Sequence, residues 1–84
     1  MSKHQKLIER LKSRPRDFTF QELETLLKGF GYRISNSGKT SGSAMRFVHP
    51  DHQLIRLHKP HPSPTLKGYV VDAVLEVLHS EGLI

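Results

Sequence analysis

Cysteine is absent from the 84 residues, which excludes disulfides and thiolate metal sites and fits a reducing compartment. No apolar run approaches the roughly 20 residues that a membrane-spanning helix needs. The N-terminus, MSKHQKLIERLKSRPRDF, lacks the short apolar core of a secretion signal. The expectation is a soluble cytoplasmic protein with no membrane association. Acid is scarce where base is not: between Arg33 and Lys67 six Lys/Arg stand against one acid, Asp51. Residues 1–32 carry seven basic and four acidic side chains, and residues 68–84 carry none and three. The net charge of +5 is therefore concentrated in the central segment, the footprint expected of a polyanion binder, whether nucleic acid or an acidic protein.

The familiar catalytic groupings are missing as well. There is no Cys–His or Ser–His–Asp set. The Gly/Ser-rich stretch GKTSGSAMRFVHP, residues 38–50, does not have the G-x-x-x-x-G-K-[ST] order of a P-loop. Its backbone N–H groups can still approach an anion closely, although plain flexibility explains the same composition.

What is present suffices for one small domain spanning residues 1–84, near the lower size limit for a single apolar core. Leu7, Ile8 and Leu11 share a helical face in a first helix over 2–11, broken by Ser13-Arg14-Pro15. Thr19-Phe20-Gln21-Glu22 matches a capping box, with Phe18 and Leu23 positioned as a hydrophobic staple. Leu23, Leu26, Leu27 and Phe30 continue that second helix, and Gly29 and Gly31 supply its stop. From Tyr32 the period changes to 2, giving strands around Tyr32–Ser35, Ala44–Val48 and Leu54–His58 joined by short loops, hence an antiparallel meander. His49-Pro50-Asp51-His52 reads as a turn. Pro60, Pro62 and Pro64 end the sheet, and a last helix starts after Pro64, preferably beyond Gly68, running to Gly82.

The expected fold class is α+β in ααβββα order, a three-stranded antiparallel sheet with the helices packed on one face. Tyr32, Ile34, Met45, Phe47, Ile55 and Leu57 would face the helices. Arg33, Arg46, Arg56 and His58 would then lie on the open face with Ala44 beside them, an arrangement suited to phosphate contact. The competing reading is that half-exposed strands simply turn polar residues outward. Lys39 and Lys59 add cations to the candidate RNA-binding set.

Six histidines are many for this length. His49-x-x-His52 and His58-x-x-His61 invite a metal reading. All-histidine sites without Cys or carboxylate support are a minority, however, so no metal and no cofactor is assigned. Metal-free phosphodiester cleavage needs a group titrating near neutrality and cations for the developing phosphoryl charge. His58, between Arg56 and Lys59, is the first candidate acid or base, and His61 the second. His4 and His79 read as surface residues on helices.

Taken in order, the basic first helix, DFTFQELETLLKGFGYRI, GSAMRFVHP, IRLHKPHP and the final helix resemble HicA-type mRNA interferase toxins of bacterial type II toxin–antitoxin modules. The resemblance covers nearly the whole length. It implies a double-stranded-RNA-binding-domain-like fold, metal-independent mRNA cleavage and a hetero-oligomer with a HicB-type antitoxin that covers the active surface. In many members of that family the residue after the Gly-Ser pair is a catalytic histidine, and others carry a basic residue there; here it is Ala44. Three readings stay open. The site relies on His58 and the arginines, or the chain is a binder that has lost cleavage, or the alanine was introduced to silence a toxic protein. Outside nuclease function, the alternatives are a non-catalytic RNA-binding module and a basic interaction domain for an acidic protein.

Overall fold

The computed structural model describes residues 2–35, 44–58, 60 and 63–84. Helix α1 (Lys3–Lys12) opens with the Ser2 side chain accepting the Gln5 N–H, and buries Leu7 and Leu11. It ends at Ser13, followed by Arg14 in the left-handed region at φ 53°, an uncommon conformation for a residue with a side chain. The guanidinium so directed meets Asp72 at 2.7 Å. Pro15 then prevents any continuation.

Helix α2 (Phe20–Gly29) begins with the complete capping box: Thr19 accepts the Glu22 N–H while the Glu22 carboxylate accepts the Thr19 N–H. Its end is a Schellman motif, with Tyr32 N–H donating to Leu27 O and Gly31 N–H to Lys28 O. Gly31 is the residue that needs to be glycine for this turn, at φ 101°. Gly29 does something else. It is the last helical residue, and a Cβ there would fall 2.3 Å from the His4 ring, so it stops nothing and instead lets α1 approach.

The strands are β1 (Arg33–Ser35), β2 (Ala44–Val48) and β3 (Ile55–His58), antiparallel in the order β1-β2-β3. Helix α3 (Gly68–Ser80) follows. It starts at Gly68 rather than beyond it, with Lys67 as an N-cap that makes no side-chain hydrogen bond. Entry to α3 is fixed from outside the helix: Phe20 N–H donates to Pro64 O and Leu66 N–H to Phe18 O, about a Thr19–Thr65 bridge. The stretch Pro64–Leu66 thus pairs with the α2 cap. A second Schellman motif closes α3, from Leu83 N–H to Leu78 O and Gly82 N–H to His79 O.

Phe18, Leu23, Leu26, Leu27, Phe47 and Leu78 are fully buried, joined by Tyr32, Ile55, Leu57, Val71 and Val74. Ile34 and Met45 are partly buried against this cluster. Every sheet residue expected to face the helices does so, and the ααβββα order agrees with a double-stranded-RNA-binding-domain-like arrangement. The α1–α2 contact also carries charge. Arg10 donates through Nε to Glu22 at 2.9 Å and through Nη2 to Glu22 at 3.2 Å and Asp17 at 3.1 Å, with its guanidinium 5.5 Å above the Phe18 ring. Arg10 holds the Glu22 carboxyl below its ordinary 4.5, overcoming the upward push of burial.

Candidate nucleic-acid interface

Strand register decides which side chains share the open face. Arg33 pairs with Val48, Ser35 with Arg46, Arg46 with Arg56, and position 44 with His58. Residues paired across antiparallel strands lie on the same face, so Ser35, Arg46 and Arg56 form one transverse row. Position 44 and His58 occupy a neighbouring row at one end of the sheet, and Arg33 and Val48 lie at the other. Arg33, Arg56 and His58 are exposed, and Arg46 is half-buried. The alternation Ile55 in, Arg56 out, Leu57 in, His58 out is complete in β3.

Directly paired residues keep their Cβ atoms about 4.5–5.5 Å apart, and like charges in that relation are destabilising. Arg46 opposite Arg56 is such a pair. Among the described residues, no carboxylate lies within salt-bridge distance of Arg33 or Arg56; the ion pairs all lie elsewhere. The face therefore brings together three guanidiniums and an imidazole. Guanidiniums are planar multi-donor groups whose geometry matches phosphate oxygens.

His61, Lys39 and Lys59 lie outside the described residues, as does the Gly/Ser stretch 36–43. The remaining histidines separate cleanly from the face. His49 accepts the Asp51 N–H at Nδ1 (2.9 Å) and donates from Nε2 to Phe30 O (3.1 Å), a pair of bonds that needs the neutral Nε2–H tautomer. His52 meets Glu81 at 3.0 Å, and the two rings stand 4.5 Å apart. Tyr32 joins this cluster, its hydroxyl donating to Gln53 O at 2.8 Å. Burial first, and Glu81 second, raise that hydroxyl above its ordinary 10.0. The His49/His52 spacing thus serves a junction between α2, the β2–β3 turn and the end of α3. Among the described residues no group of three or more metal-ligating side chains gathers. His79 is exposed as expected. His4 is not a plain surface residue: it is half-buried, bonds Leu26 O at 3.2 Å and meets Phe30 edge-on at 4.6 Å.

A family model for the HicA toxin of bacterial toxin–antitoxin systems matches residues 20–79. The chain belongs to the HicA toxin family. No curated protein and no solved structure matches it. As a HicA toxin it is one half of a toxin–antitoxin pair and has an antitoxin as partner. The HicA match begins at the first residue of α2 and ends within the last turn of α3, so it contains α2, the whole sheet and all of α3 but Ser80. Among the described residues no helix is long and apolar enough to cross a membrane.

Sequence reading missed Ser35 as a member of the Arg46–Arg56 row, because alternation assigns a face and only register assigns neighbours. It also missed the contact of His4 with α2. The signal available there was Gly29, a poor helix residue whose presence asks what comes close.

Proposed function

We propose that the open sheet face binds mRNA and is the cleavage surface of an endoribonuclease working without metal, with Ala44 leaving this chain able to bind RNA but only weakly able to cut it. The observation that carries the reading is the register that sets position 44 opposite His58, on a face holding Arg33, Arg46 and Arg56 and, among the described strand residues, no acid. An RNA 2′-hydroxyl attacks the adjacent phosphorus once a base takes its proton. The 5′-oxygen leaves and is protonated, giving a 2′,3′-cyclic phosphate and a 5′-hydroxyl. Two proton-transfer groups are wanted, and cations must offset the charge growing on the phosphoryl oxygens. His58 supplies one such group, His61 is the second candidate, and a histidine at 44 would stand across the strand from the first. Arg33, Arg46 and Arg56, with Lys39 and Lys59, supply the charge. A HicB-type antitoxin neutralises the toxin by covering this same face in a hetero-oligomer.

The test is Ala44→His, assayed on RNA in the presence of a chelator. The substitution is expected to raise cleavage at least a hundredfold, in the range contributed by general acid–base catalysis, and His58→Ala in that background is expected to remove the gain. A folded Ala44→His variant with no cleavage sinks the nuclease reading. Salt-sensitive RNA affinity without cleavage in that variant selects the non-catalytic binding module, which Ala44 itself favours. Binding of an acidic antitoxin with no RNA affinity selects the interaction domain.

A further inference from the structure

Among the described residues no strand pairs with the outer edge of β3, which ends the order β1-β2-β3. Beside that edge a groove of about 370 Å³ runs between β3 and α3, with Leu54 and Leu57 on one wall and Tyr69, Val70, Ala73 and Val77 on the other. Leu54 and Tyr69, 37% and 71% exposed, are the exposed large hydrophobic residues among those described, and both belong to this groove. The sheet pairing through β3 is continuous, Ala44–His58 to Phe47–Ile55, so the edge is not twisted away by a bulge. Such an edge offers unpaired N–H and C=O groups on every second residue and is a template for strand addition.

We propose that this edge and groove receive an extended segment of another protein in which apolar and acidic residues alternate. Side chains of an added strand divide between the two faces. Those on the covered side enter the groove against Tyr69, Ala73 and Val77. Those on the open side stand beside Arg56 and His58, the outward residues of β3, where carboxylates are complementary. Neither Asp72 nor Glu76 lines the groove, so its floor does not repel them. A second copy of this chain fits poorly. The two-fold registers that pair most of β3 set Arg56 opposite another Arg56 or a His58, between molecules that each carry +5. The groove and strand edge border the proposed cleavage face at Arg56 and His58, but RNA cleavage does not require a strand added there, so failure of the inference would leave the nuclease reading untouched.

The experiment uses the full chain, isotope-labelled for NMR, with two eight-residue peptides as probes, one alternating valine with glutamate and one alternating valine with lysine. The glutamate peptide is expected to protect β3 amides from exchange while leaving β1 amides unchanged, and to bind at least tenfold more tightly than the lysine peptide. Ala73→Glu, at an exposed helix position, is expected to weaken that binding tenfold or more. Tyr69→Ser should weaken it about threefold, with the remaining spectrum of each variant confirming the fold. Equal affinity for the two peptides, protection at β1, or no binding at millimolar peptide overturns the proposal. An RNA oligonucleotide that shifts the Tyr69 and Ala73 signals where the peptide does not would give the groove to nucleotides. A concentration-dependent dimer abolished by Ala73→Glu would give it to a second copy.

Discussion

Arg46 and Phe47 are chain neighbours on opposite faces of one strand, and the two faces obey different rules. On the covered face Phe47 is fully buried and packs 6.1 Å from Phe20, ring centre to ring centre. On the helical side of the molecule three cations are matched by carboxylates: Arg10 with Glu22 and Asp17, Arg14 with Asp72, Lys28 with Glu24. On the open face two arginines are placed directly across from one another, and no described strand residue there carries a carboxylate. Ion pairs are found where they brace the fold, and among the described residues none is found at Arg33 or Arg56. That difference is hard to account for as polar residues merely turned toward water, which would admit both signs.

The comparison breaks most visibly at Phe47. Phe47→Ala is expected to cost about 3–5 kcal/mol, a large fraction of the stability of a domain this small, as read from denaturant midpoints. Thr19→Ala, which removes half of the capping box, should cost about 1 kcal/mol in the same measurement. The Arg10–Glu22 pair makes a prediction in pH. Because the folded Glu22 carboxyl lies below its ordinary 4.5, its stabilisation is fully present above that value and is lost as the pH falls through the depressed one. Glu22→Gln should flatten the stability profile below pH 4.5 and leave the rest of the curve parallel. The smallest effect belongs to the open face. Arg56→Ser is expected to change stability by no more than about 0.5 kcal/mol, while lowering the salt dependence of RNA binding by roughly 0.7 in the log–log slope. A loss of stability at Arg56 rivalling that at Thr19 would mean that the arginines brace the fold after all.

Local chemistry made much of this fold legible. The T-x-x-E box, the leucine spacing of α2 and the change of period at Tyr32 each reflect interactions within a few residues, and the structure follows them. Faces were legible for the same reason, because alternation is local. Neighbours were not. That Ser35, Arg46 and Arg56 form one row, and that position 44 meets His58, depends on register between strands distant in sequence. The His4–Gly29 approach, the Arg14–Asp72 ion pair and the docking of Pro64–Leu66 on the α2 cap are likewise long-range and leave only indirect traces. Among the candidate site residues, Arg33, Arg46, Arg56 and His58 fall on the expected face, and their roles rest on the experiments above. His49 and His52, whose spacing invited a metal, are occupied by backbone and carboxylate partners that no spacing rule reveals.

The opposition of Arg46 to Arg56 has one more consequence. Under the proposed binding a polyanion would lie across both guanidiniums and couple occupancy to melting, because a ligand that binds only the folded chain raises its apparent stability with concentration. Thermal shift in the presence of short RNA or polyphosphate thus reports on the face directly, whether or not any bond is cut.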